Sequence, residues 1–184
     1  MTVIEVPPRF RVVSDDHATD DRTIVLAKTR AFGDGRHETT RMCLQALGAY
    51  APRRPFRLLD VGSGSGILSI AAAKLGGEAV GVEIDPEAVA AAKDNAERSG
   101  VRDRVAFATT WPPDGRFDVV IANILRDVLL ELAPTIATRV DGSLVLSGLV
   151  STDVPAVIAR YAPLLEGRRP DVFERDAWRT LVWR

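Results

Sequence analysis

The chemistry-bearing residues of this chain gather in four places. The first is Leu58-Leu59-Asp60-Val61-Gly62-Ser63-Gly64-Ser65-Gly66-Ile67-Leu68, where three glycines alternate between an apolar run and a helical pattern. Strand, glycine turn and helix together bring bare backbone amides against a ligand at a helix N-terminus. A dinucleotide site would need G-x-G-x-x-G to seat its pyrophosphate. Here the third glycine arrives one residue early, at Gly66, and Ile67 stands where the dinucleotide pattern requires it. The second place is Glu83, 21 residues after Gly62 at the end of the next apolar run. A carboxylate there can accept hydrogen bonds from both hydroxyls of a ribose. The third is Asn123, closing the apolar stretch that begins at Phe117. A buried amide at a strand end needs a partner, and the carboxyl edge of an open α/β sheet is where ligands bind. The fourth is Ala31-Phe32-Gly33-Asp34-Gly35-Arg36-His37-Glu38-Thr39-Thr40, a turn ending in hydroxyls able to cap a helix. By its neighbours alone, His37 there is a polar loop residue.

The elements that must hold these residues follow from periodicity. Leu58–Val61 and Ala79–Val82 are apolar on both faces, as buried parallel strands are. Ile67, Ile70, Ala71 and Leu75 recur at helical spacing and stop at Gly76-Gly77. Asp85-Pro86 reads as an N-cap and first position for a helix carrying Val89, Ala92 and Ala96 and closing at Gly100. A helix with Met42, Cys43, Leu44 and Leu47 precedes Pro52. Further strands are expected at Val105–Phe107, Phe117–Leu125 and Ser143–Ser147, a helix kinked by Pro134 over about 126–139, and another over 154–165 bent at Pro163. Asp171–Phe173 and Thr180–Trp183 read as a final strand pair. Thr109-Thr110-Trp111, after the third strand, could line the adenine end of a nucleoside site, or the indole could be core. Residues 1–30, rich in Pro, Asp and Thr, read as an extended arm with one or two short strands, at Phe10–Val13 and Ile24–Leu26, packed on a domain of residues 31–184. Strands alternating with helices imply a mostly parallel sheet covered on both faces, closed by a tight antiparallel pair.

Composition removes several alternatives. With 184 residues the chain holds one α/β domain. Lys and Arg number 24 against 25 Asp and Glu, so no global basic field exists to hold nucleic acid. Cys43 is the only cysteine, which rules out an internal disulfide and reads as buried filler. No signal-peptide core and no apolar run near the roughly 18 residues of a membrane helix is present, so a soluble cytoplasmic protein is expected.

Asp-x-Gly-x-Gly-x-Gly (60–66) resembles the first motif of class I S-adenosylmethionine-dependent methyltransferases. The ten residues 31–40 are similar to the A-F-G-T-G-x-H-x-T-T segment of the PrmA type, enzymes that methylate ribosomal protein L-eleven. Asp-Val-Gly-Ser-Gly-Ser-Gly-Ile-Leu-Ser-Ile-Ala-Ala (60–72), Val-Glu-Ile-Asp-Pro (82–86), Asp-Asn-Ala-Glu-Arg-Ser-Gly-Val (94–101) and Ala-Asn-Ile-Leu (122–125) resemble that family in the same order, and the likeness covers roughly residues 9 to 184. The resemblance implies a Rossmann-like seven-stranded sheet, mostly parallel with the last strand antiparallel. It implies cofactor contacts at Thr40, Gly62, Glu83 and Asn123, with Phe32 and His37 in a loop that closes beside the cofactor. With the rest of the glycine turn and the strand-end positions, the expected cofactor set is Phe32, Thr40, Asp60, Gly62, Gly64, Gly66, Glu83, Ile84, Thr110 and Asn123. No metal ligand is expected. Three residues depart from the pattern: Asp34 replaces Thr, Glu83 stands where Asp is usual, and Arg36 fills a variable position. The family also carries an N-terminal domain that recognises the ribosomal protein, and this chain starts where that domain and its linker end.

For methyl transfer the protein's task is to align a nucleophile and exclude water. An amine acceptor must arrive neutral. At pH 7.5 that costs a lysine of pKa near 10.4 roughly 4 kcal/mol, and an α-amine near 7.8 well under 1. The expected roles are Asn123, with the backbone just after it, accepting hydrogen bonds from the acceptor amine, and His37 as a secondary candidate for the proton. The expected acceptor is a protein amine, a lysine or an α-amine, as the resemblance to ribosomal-protein methyltransferases implies. A small-molecule methyltransferase on the same scaffold, a non-catalytic cofactor-binding module and an NAD-dependent dehydrogenase stay open as other readings.

Overall fold

The computed structural model describes residues 3–7, 9–14, 20–27, 35–53, 55–113 and 115–184. Phe32 and the neighbouring Gly33 and Asp34 lie outside the described residues.

Seven strands make one sheet. They are β4 (Arg57–Val61), β5 (Glu78–Val82), β6 (Val105–Ala108), β7 (Phe117–Asn123), β8 (Val140–Val150), β9 (Asp171–Arg175) and β10 (Trp178–Trp183), in the order β6-β5-β4-β7-β8-β10-β9. β4 pairs parallel with both β5 and β7, so its apolar residues are covered from two sides. Only β10 runs against its neighbours, antiparallel to β8 and β9. A two-residue connection allows no crossover, so the last pair must be a hairpin.

Helices α1 (Glu38–Tyr50), α2 (Ile67–Lys74) and α3 (Pro86–Arg98) share one core with one face of the sheet. The opposite face carries α4 (Arg126–Glu131), α5 (Ala133–Thr138) and α6 (Val154–Tyr161). The first core has a further layer. β1 (Val3–Val6), β2 (Phe10–Ser14) and β3 (Thr23–Leu26) form a small sheet, whose Phe10, Val12, Ile24 and Leu26 pack into the cluster around α1 and α2. This explains why α2 is buried at each of its first seven residues, with no polar face. The outer edge of β3 is served by side chains of α3 and its C-cap instead of a strand. The Val25 amide donates to Ser99 Oγ at 2.9 Å, and the Ala27 amide to Asn95 Oδ1 at 2.8 Å.

Several sequence expectations change. The N-terminal region has three strands; Val3–Val6, the one missed, pairs with Phe10–Val13 across a short turn containing Pro7. The helix expected over 126–139 is two helices meeting at Leu132. Pro134 has no N–H for the Leu130 carbonyl, and Arg160 Nε donates to that oxygen at 3.1 Å instead, so the interruption is stable. The last helix ends at Tyr161 and continues as a 3-10 turn through Pro163 to Leu165. Strand β8 runs well beyond Ser143–Ser147 at both ends, while β7 stops at Asn123. Cys43 is buried, and burial pushes its thiol up to about 12. Among the described residues no helix is long and apolar enough to cross a membrane.

Candidate functional site

The glycine turn leaves β4 at its carboxyl end and bonds at once to the next strand. The amides of Gly62 and Ser63 donate to the Val82 carbonyl at 2.8 and 3.1 Å, and the Gly66 amide donates to Ser63 O at 2.8 Å. Gly62, Gly64 and Gly66 all have positive φ, at 72°, 49° and 78°, where a side chain is strained. Two of them are also closely packed. A Cβ on Gly62 would lie 2.3 Å from Ile124 Cγ2, and one on Gly66 would lie 2.8 Å from the Phe107 ring and 2.9 Å from Ala92. Gly66 thus lets α2 begin directly over β6 and α3.

Asp60 and Glu83 hold this turn from below and from the side. Asp60 is 1% exposed, and its Oδ2 accepts from the Ser69 amide at 3.1 Å and the Ser69 hydroxyl at 2.8 Å. The carboxyl therefore ties the end of β4 to the first turn of α2. Burial pushes its pKa up to about 7, the Ser69 bonds pull against that, and the charge of Glu83 adds to it. Glu83 is half-buried, and its Oε2 accepts from the Gly64 amide at 3.0 Å while Oε1 accepts from the Asp85 amide at 3.1 Å. Each oxygen takes one backbone donor, and a carboxylate has about four acceptor positions, so capacity for further donors remains on the open side. Ile84, next in sequence, is 88% exposed. Thr110 is exposed too, two residues beyond Ala108, whose carbonyl accepts from the Glu83 amide at 3.0 Å. Trp111 is partly buried and packs against the second core.

The neighbouring strand end differs. Asn123 closes β7, and its Nδ2 donates to Thr40 Oγ1 at 3.4 Å. Its Oδ1 is buried and has no hydrogen-bond partner among the described residues. An orphaned buried amide oxygen costs about 1–3 kcal/mol. Thr40 is 1% exposed and sits in the first turn of α1. The expected cap of that helix is corrected: the helix begins at Glu38, so the threonine hydroxyls are already inside it, and His37 is the N-cap, its Nδ1 accepting from the Thr39 amide. The same nitrogen is 2.7 Å from Thr39 Oγ1, and the ring meets Trp178 edge-on with centroids 4.7 Å apart. Arg175 Nη1 reaches Glu38 Oε2 at 3.0 Å, so the β9–β10 hairpin is fastened to the start of α1.

The described part of the expected set therefore assembles along one sheet edge, with Gly62, Gly64, Glu83 and Ile84 on the β4–β5 side and Asn123 with Thr40 on the β7 side. Gly66 and Asp60 lie beneath it. The structure adds residues that sequence reading did not single out. Ile124 stands over Gly62, and Asn95, fully buried, donates from Nδ2 to the Ser65 carbonyl at 2.9 Å while its Oδ1 receives the Ala27 amide. Both fall inside quoted motifs, so the signal was present without a stated role. Trp178 carried no signal, since it fell in the turn expected between Asp171–Phe173 and Thr180–Trp183; β10 in fact begins with it.

Comparison with known proteins agrees with this arrangement. The family model described as ribosomal protein L11 methyltransferase (PrmA) matches residues 5–184. A ribosomal protein L11 methyltransferase of Dechloromonas aromatica is 44% identical over 181 residues, 95% of this chain and 60% of its own length. One of Bordetella parapertussis is 48% identical over 175 residues, 93% of this chain and 55% of its own. This chain thus spans about six-tenths of the length of the curated relatives it matches. The crystal structure of a ribosomal protein L11 methylase from Lactobacillus delbrueckii subsp. bulgaricus superposes with a TM-score of 0.87 at 30% identity, covering 100% of this chain and 98% of that one. With nearly every residue matched in sequence and in fold, the chain belongs to the ribosomal protein L11 methyltransferase (PrmA) family.

Proposed function

We propose that this chain is an S-adenosylmethionine-dependent methyltransferase acting on an amine of a protein, with ribosomal protein L11 as the acceptor, and with residues 1–30 as an arm on a catalytic domain of residues 31–184. The observation that carries the reading is the buried Oδ1 of Asn123, without a hydrogen-bond partner among the described residues, on the same sheet edge as a glycine turn and a strand-end carboxylate. The residues fit the cofactor. Glu83 keeps acceptor capacity for two ribose hydroxyls, and Ile84 offers an exposed apolar surface for a base; the amides of Gly62, Ser63 and Gly64 are taken by Val82 O and Glu83 and hold the shape of the turn. When bound, that cofactor supplies a methyl group already activated on a sulfonium, so no metal or nucleophilic triad is required of the protein.

The chain's own residues then have three tasks. Asn123 Oδ1 accepts an N–H of the incoming amine and turns its lone pair toward the methyl position. Thr40 Oγ1 receives Asn123 Nδ2 and so ties the end of β7 to the first turn of α1. The α1 cap by His37, braced by Trp178, holds Thr40 in place. With Asn123, Thr40 and His37 given these tasks, no group among them is assigned to take a proton from an ammonium, and the amine arrives neutral. That favours an α-amine, or a lysine whose pKa its surroundings lower.

Incubating the protein with L11 and methyl-labelled cofactor tests the proposal. Label on L11, mapped by mass spectrometry to an amine, is expected. Label confined to small molecules of a cell extract, or no transfer despite cofactor binding, overturns it.

A further inference from the structure

Strand β8 is irregular where it passes Asn123. Arg179 of β10 pairs with Leu149 and Leu181 pairs with Leu146, so Ser147 and Gly148 together face the single residue Thr180. Gly148 has φ +84°. A bulge with glycine in the left-handed region bends its strand and re-aims what stands beside it. The hydroxyls of Ser147 and Thr180, 2.7 Å apart, pin the bulge on one side. On the other side Ser147 pairs with Asn123 in the parallel register of β7 and β8. A Cβ added at Gly148 would lie 2.6 Å from the Ile124 carbonyl oxygen and 3.4 Å from Asn123 Oδ1. The backbone carbonyl and the orphan amide oxygen therefore flank the same bare α-carbon.

We infer that Gly148 is a positioning residue for the acceptor: its bulge presses β8 against the Ile124 carbonyl and so sets the spacing of that oxygen and Asn123 Oδ1, the pair already expected to receive the amine's two N–H bonds. The inference rests on the amine-methylation reading above and specifies how the amine is held. A neutral primary amine gives one hydrogen to each oxygen and keeps its lone pair free. A hydroxyl or thiol has one hydrogen for two oxygens and leaves a buried acceptor unmet, which selects against it. In the transfer, the nitrogen lone pair forms the new N–C bond and the electrons of the methyl–sulfur bond stay on sulfur. The resulting ammonium releases one N–H proton to water.

The test compares Gly148→Ala and Gly148→Asn with Gly76→Ala in the full chain. Asparagine tolerates the left-handed backbone better than alanine and still crowds the two oxygens. Gly76 has φ +90° with nothing within 4 Å of an added Cβ, so its variant reports backbone strain alone. Three quantities are read: affinity for S-adenosylhomocysteine, affinity for L11 in its presence, and initial rate of methyl transfer. Both Gly148 variants are expected to bind S-adenosylhomocysteine within twofold of wild type while L11 affinity or turnover falls at least tenfold; Gly76→Ala is expected to change none of the three. Gly148 variants that bind and methylate L11 within twofold of wild type overturn the inference alone. So do variants that lose S-adenosylhomocysteine together with turnover, since Gly148 would then serve the fold. Wild-type protein that transfers nothing to L11 overturns the functional reading and the inference with it.

Discussion

The two halves of the site are finished to different degrees. On the β4–β5 side the charged groups have partners within the protein: Asp60 holds Ser69, and Glu83 holds the amides of Gly64 and Asp85. On the β7–β8 side, a buried amide oxygen has none among the described residues, and the strand beside it is bulged around a glycine. The first half is a preorganised cradle that holds its shape without a guest. The second carries an unmet hydrogen bond, a cost of folding that is recovered when a donor arrives. On the proposed reading, binding and reaction are separable by mutation.

Breaking the second half gives the largest expected effect. Asn123→Ala should lower methyl transfer by about 100-fold or more, since a charge-developing transfer loses about 3 kcal/mol of alignment and hydrogen bonding, while calorimetry shows cofactor affinity within threefold. Equal losses in both would make Asn123 a cofactor ligand and erase the contrast. Breaking the first half should do the reverse. Glu83→Ala removes the proposed ribose acceptor and frees two loop amides, and should weaken cofactor binding by about 2–3 kcal/mol, some 30–150-fold. An unchanged dissociation constant rejects the ribose assignment.

A smaller effect concerns the floor of the cradle. The Asp60 pKa is raised by burial to about 7, above its value in an unfolded chain. The folded protein thus binds the extra proton between about pH 4 and 7, and the stability this contributes, at most about 4 kcal/mol, is present below pH 4 and lost as pH rises through 7. Asp60→Asn keeps an oxygen for Ser69 and cannot titrate, so a urea-unfolding series across that range should lose this part of its slope. A slope identical to wild type would assign the pH dependence elsewhere. The smallest change is expected from His37→Ala, about 1 kcal/mol of stability from the lost cap, with turnover reduced only through Thr40. Turnover falling by orders of magnitude at unchanged stability would give the imidazole a direct role in the chemistry.

What the sequence disclosed follows the same division. The cradle is local: Leu58–Val61, three glycines and Ile67–Leu75 are contiguous, and Glu83 is fixed by the end of the next apolar run, so pattern and spacing alone place it. Asn123 was legible for the same reason, as a polar residue ending an apolar strand. The rest depends on register between distant segments. The bulge at Gly148 exists only because Thr180, 32 residues later in sequence, is aligned against it. The Trp178 ring meets His37 because the hairpin β9–β10 folds back on α1. The break at Leu132 was half legible: Pro134 announces a defect, but that the defect is a clean stop depends on Arg160 reaching the Leu130 carbonyl. Val3–Val6 escaped because a four-residue strand beside Pro7 and Pro8 has too little pattern of its own.

Asn95 bears on how the molecule can be redesigned. One end of its carboxamide grips the backbone at Ala27 and the other grips Ser65 inside the glycine turn, both out of reach of solvent. A shortened scaffold that begins after Ala27 would strand an amide oxygen in the interior one side chain away from the cofactor cradle. Anyone trimming or transplanting this fold has to carry the small N-terminal sheet along with the cradle, or redesign position 95 first.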